Sequence, residues 1–349
     1  MVCLKSYYQK NDTNKMKITH LIFSLEVGGA ENLLTDIANL QSINHKVSII
    51  IVNNIYSTSL IKRISKNVEI ITINRPEQSI NPYYVLKLNV TINKINPDVI
   101  HCHHHNLINL LFFRKKCKVY LTLHRNGIPL DNLRKYNKIF AISEDVKSNI
   151  RGSYNIISCP NGVLYDNIDI KVDYNFDTFK IIQIGRLQSK IKGQDILINA
   201  IHHLVYHLKF DNISLDIVGQ GPDMKLLQKL IDDLSLNNYI KLVGNWDRNF
   251  IYQNLKNYSL LVQPSRDEGF GLTIAEGMFA KIPVLVSDIG GPMEVIGQGN
   301  FGFHFENTNF VDCANKIFNI KNTYLDLENT QKLSDAYNFA LEKFSIQKT

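Results

Sequence analysis

The chain has 349 residues, 44% of them hydrophobic and 20% charged, with 17 Phe and 16 Tyr; this predicts two domains and excludes a disordered or coiled-coil chain. Residues 1–170 carry 21 Lys and Arg against 12 Asp and Glu, a net of +9, while residues 171–349 carry 18 against 20, a net of −2. A basic half points to an anionic acceptor or an anionic membrane surface, and with no stacking platform, recognition-helix pattern or zinc finger, nucleic acid is not an expected partner.

Residues 1–16 read as a loose extension without the apolar core of a signal peptide, and Met16 is a candidate start. Lys17–Ser24, Lys46–Val52, Val68–Ile73, Val99–His103, Val119–Leu123 and Lys138–Ile142 are short apolar or β-branched runs, with helical segments such as Ala30–Leu40 and Pro82–Ile95 between them. The pattern then restarts. Lys180–Gly185, Ser214–Val218, Ile240–Val243, Leu260–Gln263 and Val284–Val286 alternate with Gln194–Leu208, Pro222–Leu234 and Leu272–Ala280. Apolar strands separated by helices predict parallel sheets covered on both faces, hence an α/β chain of two doubly wound domains with a ligand cleft between them, the Rossmann-like pair that the resemblance below implies. We place them at residues 17–165 and 175–325, divided by the Asn161-Gly162 turn and the polar stretch after it, with a helical segment over 326–349 that crosses back to the first domain. No apolar run approaches the ~18–20 residues of a membrane span. Cys3, Cys102, Cys117, Cys159 and Cys313 are scattered without a C-x-x-C pair, which reads as a reducing compartment with neither disulfides nor a zinc site.

Three constellations carry candidate chemistry. Gly28-Gly29, after the first strand, make a turn whose backbone could approach an anion, although a plain tight turn explains them equally well. Gly185-Arg186-Leu187 with Lys192-Gly193 puts two cations at a strand end, where both suit a diphosphate. In Pro264–Glu276 a strand stops at a proline, a glycine-rich loop follows, and a helix opens near Leu272, so its first amides would hold an anion. Glu268 and Glu276 beside such a site suit the hydroxyls of a sugar and a ribose. The run His101-Cys102-His103-His104-His105 ends a strand, its alternate residues point to opposite sides, and no second ligand cluster is evident, so cleft-edge histidines are expected rather than a metal. Leu107–Phe113 followed by Arg114, Lys115, Lys116 and Lys118 reads either as an apolar helix with a basic end for an anionic membrane or as a core helix with a solvated end.

Together these residues resemble the retaining glycosyltransferases of family 4, which have the two-domain GT-B architecture. The resemblance is carried by VGGAE, DVIHCHHHN, LTLHRNG, ISCPNGV, QIGRLQSKIKGQDILINA, DIVGQGP, LVGNWD and PSRDEGFGLTIAEGMFAKIPVLVSDIGGPMEVI, in the family's order from Lys17 to beyond Phe305. It implies that Arg186 and Lys192 bind the donor diphosphate; four residues rather than three separate GRL from KG, which leaves Lys190 as the alternative to Lys192. Glu268 would hold the transferred sugar and Glu276 the ribose, with the backbone of Gly28, Gly29, Gly269, Phe270, Gly271, Leu272 and Thr273 completing the phosphate cradle. His124 would face the sugar near the reacting carbon, Gly219 and Gly244 mark the loops that contact the base, and His103, His104 and Arg125 lie on the acceptor side. No metal or other cofactor is expected, since the cations neutralise the leaving group and no D-x-D motif is present. The implied function is transfer of a sugar from a nucleoside-diphosphate sugar, a UDP-sugar first, to a glycan or lipid-linked glycan in surface polysaccharide synthesis such as capsule or lipopolysaccharide. The implied location is the cytoplasm, at the inner face of the membrane. The alternatives are a GT-B sugar-nucleotide epimerase and a nucleotide-sugar-binding module without catalysis.

Overall fold

The computed structural model describes residues 15–112 and 117–349. The extension before Lys15 and the basic residues Arg114, Lys115 and Lys116 lie outside the described residues. The chain divides into two compact units, one of residues 1–162 with 346–349 and one of residues 163–345.

In the N-terminal unit β1 (Lys17–Ile22), α1 (Gly29–Gln41), β2 (Lys46–Asn53), α2 (Thr58–Arg63), β3 (Val68–Arg75), α3 (Pro82–Ile95), β4 (Val99–Cys102), β5 (Lys118–Leu123), β6 (Lys138–Ala141), α4 (Glu144–Ser148) and β7 (Ile156–Ser158) follow in turn. The seven strands among its described residues are all parallel, in the order β3-β2-β1-β4-β5-β6-β7. Apart from Lys17 and Lys46 at their starts, the central strands are buried, as a sheet covered on both faces requires. Local chemistry sets the helix ends: Asn81 Oδ1 accepts from Tyr83 N at 2.9 Å ahead of Pro82, and Asn96 closes α3 in the left-handed region at φ 49°.

Of the helix expected over Leu107–Phe113, the described part, Leu107–Phe112, is not an α-helix, and Phe113 lies outside the described residues. Leu107–Leu110 make a single 3₁₀ turn. Asn89 holds the backbone beyond it, donating to Leu110 O at 2.8 Å and accepting from Phe112 N at 2.9 Å, so side-chain bonds replace the ladder a seven-residue helix would need.

The C-terminal unit contains β8 (Phe179–Ile184), α5 (Ser189–Lys192), α6 (Gln194–Tyr206), β9 (Ile213–Val218), α7 (Met224–Asp233), β10 (Ile240–Gly244), α8 (Arg248–Asn254), β11 (Leu260–Gln263), α9 (Leu272–Phe279), β12 (Val284–Ser287), α10 (Gly290–Val295), β13 (Phe303–Phe305), α11 (Phe310–Asn322) and α12 (Leu327–Phe344). Its six strands are again all parallel, in the order β10-β9-β8-β11-β12-β13. The core joins Phe179, Ile181, Leu215, Ile217, Leu260 and Val262 of the sheet to Ile201, Leu204 and Ile317 of α6 and α11. The helix expected within 326–349 ends at Phe344 and packs on α9, with Phe344 edge-on to Phe270 at 5.3 Å. Only residues 346–349 belong to the first unit, where Thr349 Oγ1 donates to Pro160 O at 3.1 Å. Among the described residues no helix is long and apolar enough to cross a membrane.

The strand orders reverse between β1 and β4 in one unit and between β8 and β11 in the other. Ligands of open α/β sheets bind beyond the strand C-termini at such points.

Candidate active site

At the switch point of the C-terminal unit β8 delivers Gly185-Arg186 and β11 delivers the Pro264–Gly271 loop. Short α5 lies between them and is fixed from two sides. Asp223, in the loop after β9, accepts from Ser189 N at 2.7 Å and Ser189 Oγ at 2.6 Å, bonds that hold its carboxyl below the usual range. Arg266, in the loop after β11, donates to Ser189 O at 2.7 Å and forks onto both oxygens of Asp195 at 2.7 and 2.8 Å. Arg266 N also donates to Ile191 O at 2.8 Å. Gly193, at φ 66°, then lets the chain turn directly against the loop, since a Cβ there would stand 1.8 Å from Pro264 O.

This frame aims Lys192 inward. Lys192 Nζ donates to Glu268 Oε2, with 23% and 17% of the two side chains exposed. Lys190 is exposed on the same helix, so the geometry separates the two lysines. Arg186 is exposed and makes no ion pair with any described residue. Gly271 caps α9 at φ 98°, and the first-turn amides behind it, at Leu272 and Thr273, have no acceptor within the helix. The Phe270 side chain is in the core.

Glu276 is buried one turn into α9. Tyr252 Oη donates to its Oε1 at 3.1 Å, and Arg248 approaches the same oxygen at 3.7 Å. Arg248 also donates to Tyr252 Oη at 2.6 Å and lies over that ring. Both residues come from α8, which Asp247 starts by accepting from Phe250 N at 2.9 Å. Among the expected base-loop positions, Gly219 N donates to Gly244 O at 2.8 Å. A Cβ on Gly219 would meet Gly185 O at 2.0 Å, so this residue supplies close approach and not a free amide.

Sequence reasoning missed Arg266, Asp195, Arg248 and Tyr252. The last two were within reach: Asp247 is an N-cap residue, and a cation and a phenol one turn apart after it share a helix face. The Arg266–Asp195 fork leaves no local signal.

In the N-terminal unit Gly28 has extended φ, and its would-be Cβ is met by the Glu31 carboxylate. Burial, with the nearby Glu26 charge, raises the Glu31 pKa. The histidines depart most from expectation. His20 and His101 pair in register on β1 and β4, and His101 and His103 stack at 4.8 Å, so these rings share one side of the sheet. His101 and His103 are buried, as is His20 on the neighbouring strand, which corrects the expectation that the first two are cleft-edge rings. His124 is half-buried, Arg125 is exposed, and half-buried His104 accepts from Asn106 N at 3.2 Å.

Burial holds His20, His124 and His104 down to about 4, and His101 and His103 well below the ordinary value. Ring nitrogens of His20, His101 and His103 lie within 4.8 Å of one another, the spacing of a metal site. Their hydrogen bonds already engage them, however: His20 with Gln41 at 2.8 Å and with His103 at 3.1 Å, His103 with His124 at 3.3 Å, and His101 with Thr122 at 2.7 Å. The trio includes no carboxylate to offset a divalent charge.

Residues 166–334 match the family described as Glycosyl transferases group 1, and residues 27–171 match Glycosyltransferase Family 4. The poly(ribitol-phosphate) alpha-N-acetylglucosaminyltransferase of Staphylococcus aureus is 28% identical over 71% of the chain and 48% of its own length. The chain spans about half the length of the curated relatives it matches. Among solved structures, a glycosyltransferase from Rickettsia africae superposes with a TM-score of 0.79 at 24% identity, over 96% of each chain. Anabaena HepE in complex with UDP-glucose superposes at 0.79 and 22% identity, over 95% of this chain and 96% of that one. At these identities the likeness is one of fold.

Proposed function

Since the chain belongs to the glycosyltransferases, through a family 4 N-terminal half and a group 1 C-terminal half, we propose that it transfers a sugar from a nucleoside-diphosphate sugar to a glycan or lipid-linked glycan, with retention of configuration. The observation that carries this reading is the grouping of Arg186, Lys192, Glu268 and the first turn of α9 at the β8–β11 switch point. Cleaving the donor bond builds negative charge on the diphosphate and positive charge on the sugar ring. Arg186, Lys192 and the α9 amides answer the first, and the Glu268 carboxylate holds the sugar's hydroxyls. Such preorganised donors are worth roughly 10²–10³ in rate each. Glu276, held by Tyr252 and Arg248, takes the ribose hydroxyls.

Because side-chain cations and amides neutralise the leaving group, transfer proceeds without a divalent metal. A UDP-sugar is the donor we favour, given the UDP-glucose bound to HepE. The basic N-terminal half takes the acceptor, and the acceptor class we favour is a surface polymer; the S. aureus relative is named for poly(ribitol-phosphate), an anionic polymer. We assign the same basic half to an anionic membrane surface. Calorimetry with UDP, GDP and ADP tests the donor assignment: one of the three binds the intact chain and loses at least tenfold in affinity on Arg186→Ala. Binding of none of them overturns it.

A further inference from the structure

We propose that Gln41, His20 and His103 form a one-directional hydrogen-bond relay that holds His124 in the tautomer with its proton on Nε2, leaving Nδ1 as the acceptor end of the chain for a substrate hydroxyl. The direction follows from counting protons. Gln41 Oε1 can only accept, so His20 Nε2, at 2.8 Å, carries a proton. A neutral imidazole has one N–H, so His20 Nδ1 is bare and accepts from His103 Nε2 at 3.1 Å. By the same count His103 Nδ1 accepts from His124 Nε2 at 3.3 Å. The relay ends at His124 Nδ1, a buried atom with no hydrogen-bond partner among the described residues.

The rings stay neutral because burial disfavours the charged form. His101 stands outside the relay, stacked on His103 and bonded to Thr122. A bare buried acceptor costs about 1–3 kcal/mol unless a hydroxyl meets it, so the fold has placed an unsatisfied lone pair beyond β5. Gln41 closes α1 and His20 lies inside β1, and both act as positioning residues. The use of the lone pair by a sugar hydroxyl rests on the proposed sugar transfer; the tautomer does not.

Histidine-labelled full-length protein gives the test, since nitrogen NMR separates protonated from bare ring nitrogens. His20, His103 and His124 should all show the proton on Nε2. Gln41→Glu, acceptor-only at the same place, should leave all three unchanged. Gln41→Lys, a donor, should move the protons of all three to Nδ1. In turnover assays Gln41→Lys should lower kcat about tenfold, the effect of a lost orienting partner, with nucleoside-diphosphate affinity unchanged, and Gln41→Glu should match wild type. A proton on His124 Nδ1 in the wild type, a tautomer change in Gln41→Glu, or zinc bound stoichiometrically through His20 and His103 would each overturn the relay. If Gln41→Lys does not fold, the wild-type and Gln41→Glu spectra still decide. If no variant turns over any donor while the tautomers are as stated, the sugar-transfer reading fails and the relay stands.

Discussion

Lys192 and Glu268 touch each other, yet in the proposed reaction they hold different ligands, a diphosphate and a sugar. Removing Glu268 should therefore free Lys192 for the phosphates. Two unit charges ~3 Å apart attract by roughly 5 kcal/mol at an effective dielectric of ~20. Desolvation and side-chain ordering cancel much of this. Exposed pairs net about 0–1 kcal/mol, and breaking a buried pair costs about 3–5. With 23% and 17% of the side chains exposed, the net lies at about 1–2 kcal/mol, and a factor of ten in affinity is about 1.4 kcal/mol. Glu268→Gln should thus bind nucleoside diphosphate as tightly as wild type or up to about tenfold tighter, while transfer falls by roughly 10²–10³. Lys192→Ala should lose at least about tenfold in the same binding and a comparable amount in transfer. Titration calorimetry with the diphosphate and a radiolabelled transfer assay read the two quantities separately. If Glu268→Gln weakens diphosphate binding as much as Lys192→Ala does, the division of labour at this site is wrong.

Glu276→Ala should weaken free nucleoside diphosphate by ~1–3 kcal/mol and Tyr252→Phe by ~1 kcal/mol, in calorimetry, with donor-sugar preference unchanged; a changed sugar preference would exchange the roles of Glu268 and Glu276. Arg266→Lys cannot fork onto Asp195, and with about a third of each side chain exposed it should cost about 1 kcal/mol of stability and loosen diphosphate binding several-fold. Unaltered binding would mean that α5 holds Lys192 unaided. His20 is held at about 4 against 6.5 when unfolded, so the unfolded chain takes up a proton that native His20 refuses. The His20 contribution should be complete above about pH 6.5 and be lost as the pH drops toward 4, by up to ~1.4 kcal/mol per pH unit, and His101, His103, His104 and His124 add to the fall in the same direction; denaturant midpoints between pH 7 and 5 should drop accordingly, and His20→Gln should make the drop shallower.

The sheets were legible because their strands are buried on both faces and read as apolar runs. Leu260–Gln263 and Pro82–Ile95 have the expected limits in the structure. β7 and β13 were missed because three residues make no run, half-buried throughout in β7 and broken by the exposed His304 in β13. Helix α11 lies beyond the last expected strand, Val284–Val286, and its local signal is the cap, where Asn309 accepts from Val311 N and Asp312 N. The Gly193, Lys192 and Glu268 grouping was visible in the motifs, since glycines and a strand-ending proline announce a close turn. The supports were not. Arg266 meets Asp195 71 positions away, and His20 meets His103 83 positions away, pairings that only the β1–β4 and β8–β11 adjacencies create. The histidine run itself was read as an edge feature because the neighbour that buries it, His20, lies in a strand whose place in the sheet no local pattern discloses.

Metal-independent sugar transfer at the β8–β11 switch point is read out by release of nucleoside diphosphate from UDP-, GDP- and ADP-sugars by the intact chain in excess EDTA. Release should occur from one base class, undiminished by the chelator and reduced roughly 10²–10³ by Arg186→Ala. Release that vanishes in EDTA and returns with Mg²⁺ or Mn²⁺, or that survives Arg186→Ala at the wild-type rate, would contradict it.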